Sequence, residues 1–468
     1  MLKIILGTLI GVFIIVSTVT IFYWSDARFD PSLQDMLIFL GFIPFGVSLI
    51  VLSPYFFKKW LNYKKIEQSK HDEHVSNEFV EEKEQTPVEY VKLQVFAASV
   101  ESATGKNQEI IGNLAEYLSA ELDPELTDSH GLATLSYRIP SIDDSTLDVD
   151  EIDRTENGLH KRICSLILLQ LQENVETLQY LAEHFKQSAL FYDQQLAYEY
   201  RMHPAWINPN VEIENEDEVI PQQVYRLDKI NVHVVLASML SHTWDETLSN
   251  QILEQFFNDL GIISQQVTVD YHYLSADNAY YTWVKELKRI EKQEHDVSFM
   301  LVVDSEIDQD TLAERMWITD KYVPAEFMCS CLLASLNVKI NGLTAVKHLD
   351  LIQNEKNFEE SLTALKIDIL EQAQSEHMFV IIPDDIARPR INNQITKKFE
   401  TTLIQQHHHI YTSKTLGNTQ HLTKVFSFML GLHFSDELYG FIYSIDLPFT
   451  HVIVKPVRDE GLMTLIDS

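Results

Sequence analysis

Two uncharged apolar runs near the N-terminus constrain this chain more than any other feature of its sequence. Residues 4–23 carry no charged side chain and are followed directly by Trp24, and residues 36–57 form a second uncharged run. Each run reaches the roughly 20 residues that an α-helix needs to cross a bilayer. The sequence therefore predicts a transmembrane helical hairpin over residues 1–57, with spans at about 4–24 and 36–57.

The charges beside these runs predict the orientation of the hairpin. The loop 25–35 holds Arg28 and three acids, whereas four lysines follow the second run within residues 58–65. A cleaved signal peptide is the alternative for the first run because Lys3 precedes it, but no small-x-small cleavage site follows. We therefore expect a two-pass protein of the inner (cytoplasmic) membrane, with its soluble region in the cytoplasm.

Charge and cysteine content limit the partners and the compartment. The chain has 36 Lys and Arg against 69 Asp and Glu, a formal charge of -33, which repels nucleic acid and anionic headgroups. We therefore expect a protein partner with a basic or apolar surface, and no nucleic acid. The cysteines are Cys164, Cys329 and Cys331, all in apolar stretches. Because Cys329 and Cys331 stand one residue apart on a strand pattern, an unstrained disulfide is not expected.

The soluble region is too long for one ordinary hydrophobic core, since such cores stop growing at roughly 250–300 residues. We predict a polar linker over 58–88, a small N-terminal α/β domain over 89–220 and a C-terminal domain over 221–468. Strands are predicted at 91–100, 133–139, 230–240, 265–273, 297–304, 322–337, 347–350, 378–383, 438–445 and 450–457. Helices are predicted at 108–122, 161–201, 245–260, 276–293, 357–374, 394–406 and 419–432. This alternation indicates an α/β fold whose sheet is covered on both faces.

The order of these elements suggests an internal duplication. Strands and helices in 230–340 follow one another in the same order as those in 378–457, although no residue-level repeat is visible. Because a repeated order of elements is typical of duplicated folds, we expect two similar halves in the C-terminal domain.

The motifs in the second half are more specific. Residues 302–305 read Val-Val-Asp-Ser at the end of an apolar strand, and residues 322–326 read Tyr-Val-Pro-Ala-Glu before the next one. Residues 414–417 read Lys-Thr-Leu-Gly before the predicted helix 419–432. These features resemble the thiolase-like superfamily, in particular the β-ketoacyl synthases, over 228–468. The resemblance implies a layered, duplicated, ketosynthase-like α/β fold.

The chain departs from that family where catalytic residues are expected. Ketosynthase chemistry needs a thiolate at a helix N-terminus and two positioned histidines, or a histidine and an asparagine. The segment before the predicted helix 276–293 holds Ser275 but no cysteine, and we interpret Ser275 as a helix-capping residue. Asn418 stands at one histidine position, and Asp384 and Asp385 stand where the other is expected. We therefore predict a degenerate domain with no catalytic residues.

Other motifs favour structural interpretations. Three histidines at 407–409 point in alternating directions, so a solvated loop is favoured over a metal site. Residues 102–106 resemble part of a phosphate loop but lack its first glycine, which favours a simple turn. The acidic runs 143–156 and 212–218 lack the glycine of a calcium-binding loop and are expected to be solvated. We predict no metal and no cofactor.

The architecture as a whole resembles the type VI lipase adaptor family. A two-span anchor precedes a unit that opens with strand, turn and helix at 93–117, and the thiolase-like unit follows. The resemblance implies a non-catalytic adaptor of a bacterial type VI secretion system. Such an adaptor binds a phospholipase effector in the cytoplasm and delivers it to the secretion spike, with the anchor placing it near the membrane complex.

Aromatic residues are the candidates for the binding surface, although aromatics at helical spacing more often belong to a core. The candidates form two groups, Tyr280, Tyr281 and Trp283, and Tyr198, Tyr200 and Trp206. Two alternatives stay open. One is a structural accessory subunit of the secretion membrane complex, and the other is a membrane-bound acyltransferase that uses Ser275 with His272 or His421.

Overall fold

The computed structural model describes most of the chain beyond the predicted linker. The described residues are 87–116, 119–143, 158–189, 200–202, 222–317, 322–413, 417 and 421–457, with a few helical residues between 13 and 26. The predicted spans 4–24 and 36–57 fall largely outside them. Among the residues that are described, no helix has both the length and the apolar character that crossing a membrane requires. The chain divides into two compact units, Met1–Thr86 and Pro87–Ser468.

Strands and helices alternate through the second unit. The strands are β1 (Glu89–Ser102), β2 (Gly105–Lys106), β3 (Glu121–Thr127), β4 (Ala133–Ser136), β5 (Tyr200–Met202), β6 (Gln222–Val224), β7 (Lys229–Ala237), β8 (Val267–Leu274), β9 (Asp296–Ser305), β10 (Glu326–Ser335), β11 (Lys347–Gln353), β12 (Val380–Ile382), β13 (His409–Tyr411), β14 (Gly440–Ile442) and β15 (His451–Pro456). The helices are α1 (Gln108–Ala115), α2 (Pro140–Asp143), α3 (Gly158–Glu173), α4 (Val175–Ala189), α5 (Glu246–Asp259), α6 (Ala279–Glu291), α7 (Gln309–Met316), α8 (Phe358–Ala364), α9 (Leu370–Ala373), α10 (Pro389–Phe399) and α11 (Thr423–Gly431).

One large sheet organises these elements. Its strands lie in the order β13-β12-β14-β15-β11-β1-β10-β9-β7-β8, and β2 pairs with β1. The pairs at each end are parallel, as in β7 with β8 and β12 with β13. The central pairs are antiparallel, as in β1 with β10 and β1 with β11. The chain therefore has a mixed α/β fold, as the pattern of its sequence predicts.

The predicted internal duplication is confirmed by the topology. The first half runs β7-α5-β8-α6-β9-β10, and the second runs β12-α10-β13-α11-β14-β15. The sheet order is β8-β7-β9-β10 in the first and β13-β12-β14-β15 in the second. In both halves two parallel pairs are followed by one antiparallel pair. Helices α6 and α11 consequently occupy equivalent places, each after an edge strand of the sheet.

Strand β1 joins the two halves. It lies between β10 and β11, so a segment of the predicted N-terminal domain 89–220 completes the sheet built by 221–468. Ten-residue β10 is buried along its whole length, and β1 is the neighbour that covers one of its edges. The predicted division at residues 220 and 221 thus falls within one compact unit and separates β1 from its partners.

Alternation along the strands divides the core between the two faces of the sheet. In β9, Val302 points to the face covered by α6 and α11, and Val303 points to the opposite face beneath α3 and α5. A third apolar cluster, centred on Phe358 of α8, packs against the β12–β15 end. Both faces of the sheet are therefore covered, which explains why β9 and β10 are mostly apolar on both of their faces.

Several predicted helices are shorter than expected. The predicted helix 108–122 ends at Ala115, and β3 begins at Glu121. The predicted helix 161–201 breaks at Asn174, whose buried amide donates hydrogen bonds to the Gln170 carbonyl and to Ser330 Oγ. The predicted helix 357–374 is divided into α8 and α9. Lys366, between the two helices, has a left-handed backbone conformation with φ of 55°.

Candidate binding site

The place where a ketosynthase-like nucleophile is expected is a tight turn between β8 and α6. The carbonyl of Ser275 accepts hydrogen bonds from the backbone N–H groups of Asn278 and Ala279. The backbone N–H of Ser275 in turn donates to Asn278 Oδ1 at 2.9 Å. Ser275 therefore closes the turn before α6 through its backbone, whereas the N-cap of α6 is Asn278, so the interpretation of Ser275 as the helix-capping residue is wrong.

The carboxyl of Asp384 lies at the end of β12, where a catalytic histidine is expected. Asp384 is buried, and Lys424 Nζ lies 3.0 Å from its Oδ1. Its Oδ2 accepts the backbone N–H of Ile445 at 2.9 Å. Lys424 also contacts Asp446 at 2.5 Å. Both oxygens of Asp384 are thus occupied by protein groups that hold α11 against β12 and the loop after β14.

The two turns that carry the sequence resemblance contact each other. Gly417 has φ of 82°, and a Cβ on it would lie 2.4 Å from Ala325 Cβ and 2.7 Å from the Tyr137 ring. Only glycine fits here, because the backbone conformation and the space both exclude a side chain. Beside this contact, Glu326 is buried and accepts two hydrogen bonds from Arg162, each of 2.6 Å. The motif residues Gly417, Ala325 and Glu326 therefore have a packing role.

The cysteines do not provide a reactive thiolate. Cys164, Cys329 and Cys331 are all free and buried, as the sequence predicts. Burial raises the pKa of the Cys164 thiol to about 12, and it also raises the pKa values of Cys329 and Cys331. A nucleophilic cysteine requires the opposite shift, since the thiolate is the reactive species.

Helix α6 separates the first group of predicted aromatic residues into two faces. Tyr280 and Trp283 are 1% exposed and pack in the core, where the Trp283 ring meets Phe428 of α11 edge-on at 5.6 Å. Their assignment to a protein-binding surface is therefore wrong, because a helix that covers a sheet buries the side chains of its inner stripe. Tyr281 is 59% exposed and remains available.

Tyr281 stands at a basic groove of about 590 Å³ on the outer face of α6. Four basic side chains of this helix region line it, together with one carboxylate, Glu286. The basic residues are Lys285, Lys288, Arg289 and Lys292. Gln353 and Asn354, Leu447 and Thr450 form the other wall, and Val284 lies at the base. The α6 groove thus combines an exposed ring, apolar floor atoms and clustered positive charge.

Not all of the charge in the α6 groove is neutralised by neighbouring carboxylates. Lys288 pairs with Glu89, and Arg289 contacts Glu286 and Asp270. Lys285 and Lys292 have no carboxylate partner among the residues that the structure describes. Positive charge left unpaired on a chain of net charge -33 is a local exception that attracts anionic groups. The overall charge favours basic partners, whereas this groove favours acidic ones.

The second group of predicted aromatic residues cannot be placed in a site. Tyr200 belongs to β5, which pairs with β6, and Tyr198 and Trp206 lie outside the described residues. The acidic runs 143–156 and 212–218 likewise lie almost wholly outside them.

The three consecutive histidines are more ordered than a solvated loop. Residues 406–408 form a 3₁₀ turn, and His409 begins β13. His408 is fully buried, stacks on Phe379 at 4.7 Å, and its Nε2 lies 3.1 Å from the Ser375 carbonyl. His409 is also buried and contacts the Tyr411 hydroxyl. His408 and His409 are therefore core residues.

Segment 102–106 forms the turn that the sequence predicts, in which Gly105 and Lys106 pair back onto β1.

Comparisons with known proteins give similarity in structure only. No protein-family model matches the chain, and no curated protein matches it. A ketosynthase from module 6 of the bacillaene synthase of Bacillus subtilis 168 has 11% identity and a TM-score of 0.43, with 78% of this chain and 72% of that chain covered. A ketosynthase from module 1 of the bacillaene synthase of Bacillus amyloliquefaciens FZB42 has 10% identity and a TM-score of 0.39, covering 79% and 77%. The complex of a type II PKS acyl-carrier protein with its ketosynthase has 9% identity and a TM-score of 0.42, with 79% of this chain and 100% of that chain covered.

Proposed function

We propose that this chain is a non-catalytic, membrane-anchored cytoplasmic adaptor that binds a protein partner through the α6 groove. The observation that carries the proposal is the cluster of basic side chains around exposed Tyr281 on a strongly acidic protein. A ring flanked by cationic side chains above an apolar floor has the composition of a protein-binding hot spot, in which aromatic and Arg residues are enriched.

The occupants of the expected catalytic positions support a non-catalytic role. Ser275 has its backbone committed to the turn before α6, and Asp384 is paired with Lys424. Both cysteines of β10, Cys329 and Cys331, lie inside the sheet with raised pKa values. A condensing reaction would need a thiolate and groups that stabilise developing negative charge, and a buried carboxylate at that place opposes such charge.

The charge of the groove defines the partner segment that fits it. An acidic segment that carries an apolar or aromatic side chain could place the apolar group on Val284 and Leu447 and the carboxylates near Lys285 and Lys292. Opposite charges across such a surface raise the association rate and the specificity more than the affinity. The apolar and aromatic contacts with Tyr281 would supply most of the binding free energy.

The resemblance to the type VI lipase adaptors suggests a more specific form of the proposal. In that form the partner is a phospholipase effector, the chain keeps it in the cytoplasm, and it is handed to the secretion spike. The predicted hairpin 1–57 would hold the adaptor at the inner membrane, close to the secretion membrane complex. The groove lies in the Pro87–Ser468 unit, and the predicted linker 58–88 would give this unit reach from the bilayer.

Affinity purification with charge-reversed variants tests the proposal. The full-length chain is isolated from its native cells in mild detergent, and co-purified proteins are identified by mass spectrometry. We expect a lipase or a spike protein with the wild type, and loss of that protein with the double variant Lys285→Glu/Lys292→Glu. The matched control is Lys186→Glu/Lys397→Glu, which makes the same charge change on α4 and α10 and should retain the partner.

Quantitative binding to the recovered partner then tests the role of the ring. Truncation Tyr281→Ala should weaken binding by about 2 kcal/mol, roughly 30-fold, if Tyr281 is a hot spot. Equal recovery of the partner by both double variants would exclude the α6 groove as the binding site. Recovery of membrane-complex subunits alone would favour a structural subunit, and acyl-thioester turnover abolished by Ser275→Ala would favour the acyltransferase.

A further inference from the structure

Two histidines and a carboxylate converge beside the edge strand of the sheet. His233 of β7 and His272 of β8 lie on parallel neighbouring strands, and both face α6. His233 alternates with Val232 and Val234, which point to the opposite face of the sheet. Glu286 of α6 lies above the pair. Because β8 is the last strand of the sheet in the described part of the chain, this His-His-Glu cluster lies at one edge of the sheet.

The potential ligand atoms of the cluster lie close together. His233 Nδ1 lies 3.1 Å from His272 Nε2 and 3.9 Å from Glu286 Oε1. One ligand atom from each of the three residues lies within 4.8 Å of the others. Four tetrahedral ligands of zinc, bound at about 2.0–2.2 Å, are separated by roughly 3.3–3.5 Å. The 3.1 Å and 3.9 Å separations lie on either side of this range, and ligand atoms up to 4.8 Å apart have to move closer when the ion binds. The 3.1 Å contact between the two imidazoles is a hydrogen bond in the metal-free protein, and the ion would replace its proton.

The electrostatics of the cluster favour a cation. Burial lowers the pKa of His233 to about 3, and burial also lowers the pKa of His272, so both imidazoles are neutral at pH 7. Neutral imidazole is the form that coordinates a metal. Asp270 lies in the same place, with its Oδ2 3.9 Å from His233 Nδ1. The two carboxylates, Glu286 and Asp270, outnumber the one cationic neighbour, Arg289.

We propose that His233, His272 and Glu286 form a binding site for Zn²⁺, with Asp270 or a water as the fourth ligand. Two imidazoles and a carboxylate are a ligand set that zinc accepts, and a fourth position held by water or by a mobile carboxylate leaves the ion reachable from solvent. The side chain of Asp270 is 43% exposed, so ions reach the site past the edge strand. The site does not depend on the function proposed above.

Arg289 has to move when the metal binds. Its Nε lies 2.5 Å from Glu286 Oε1, and its Nη2 lies 3.3 Å from Asp270 Oδ2. The guanidinium is thus the counter-cation of both carboxylates in the metal-free protein. Its side chain is 52% exposed and can turn to solvent, releasing Glu286 to the ion. Bound zinc would fasten α6 to β7 and β8 and alter the charge at one end of the α6 groove.

Metal titration of the full-length chain tests the site. The protein is purified in mild detergent without a polyhistidine tag, treated with a chelator, and titrated with Co²⁺, whose visible absorption reports tetrahedral coordination, and then with Zn²⁺ in competition. We expect one equivalent bound by the wild type. His272→Ala and Glu286→Gln should each weaken binding by at least about 100-fold. Circular dichroism of each variant without metal establishes that it is folded.

The histidine run at 407–409 supplies the control. His407→Ala removes the exposed member of that run and should leave one equivalent bound with unchanged affinity. Loss of all binding in His407→Ala would overturn the proposal, as would wild-type affinity in either folded variant, His272→Ala or Glu286→Gln. Absence of binding in the wild type would also overturn it. Because Glu286→Gln keeps the size and shape of a partly buried side chain on α6, it decides the question even when His272→Ala fails to fold.

Discussion

At the end of β9, Asp304 is a buried carboxyl whose protonation affects stability. Burial raises the pKa of Asp304 to about 7, although backbone N–H groups of Ser305 and Leu422 and the charge of Arg315 oppose the shift. In the unfolded chain its pKa is about 3.9. The folded state therefore binds the proton more tightly, and the stabilisation is fully present below about pH 4. It is lost as the pH rises to about 7.

The variant Asp304→Asn should remove this dependence, because the amide keeps the shape and an acceptor without a charge. We expect the wild type to lose stability relative to Asp304→Asn between pH 4 and 7, by roughly 4 kcal/mol at most. Thermal unfolding of both full-length proteins across this range measures the difference. A difference in unfolding temperature that does not change with pH would show that Asp304 is charged in the folded protein.

Single residues also show which parts of the site the sequence can reveal. The pattern at 322–326 marks Glu326, but its partner Arg162 lies 164 positions away, and no spacing rule connects them. Likewise the aromatic cluster on α6 is visible in the sequence, whereas the separation of exposed Tyr281 from buried Tyr280 and Trp283 follows from packing on the sheet. His233 and His272 become neighbours only through strand pairing, 39 residues apart.

At the scale of elements, two helical glycines predict opposite effects of the same substitution. A Cβ on Gly112 of α1 would meet nothing within 4 Å, whereas one on Gly431, at the end of α11, would lie 2.5 Å from Ile442 Cδ1 and 2.7 Å from its Cγ1. Ile442 is buried in β14 and cannot turn away freely. The glycine therefore allows α11 to approach the sheet closely.

We expect Gly112→Ala to stabilise the protein by about 0.5–1 kcal/mol, because alanine loses less backbone entropy in a helix. Gly431→Ala should instead destabilise it by about 1–3 kcal/mol through overpacking against Ile442. Urea unfolding of the two full-length variants measures both changes. An increase in stability with Gly431→Ala would mean that the contact between α11 and β14 has room for a methyl group.

Element type was predictable from the sequence to a greater extent than element length. The helices α5 and α6 and the strands β7, β8 and β9 lie where their periodicity places them. Helix ends depend on tertiary contacts, as at Asn174, where a buried hydrogen bond to Ser330 of β10 accompanies the break between α3 and α4. Such a contact overrides the local pattern, since an unsatisfied buried amide costs about 1–3 kcal/mol.

For the whole molecule, the position of β1 determines which part of the chain can fold alone. Residues 89–102 cover β10 on one side and β11 on the other, and α3 and α4 contribute to the core on one face of the sheet. Without them, β10 would present an unpaired and largely apolar edge, which is an aggregation site. The prediction of separate domains at 89–220 and 221–468 implies that the domain 221–468 can fold without β1.

We therefore expect a fragment of residues 221–468 to be insoluble, or to lack a cooperative thermal transition, whereas a fragment of residues 87–468 should be soluble and unfold in one transition. Size-exclusion chromatography and far-UV circular dichroism on heating distinguish the two results. Supplying 87–220 as a separate chain should restore solubility to 221–468, because β1 would then fill its place between β10 and β11. A 221–468 fragment that is monomeric and unfolds at the same temperature as 87–468 would show that β1 docks on a sheet complete without it.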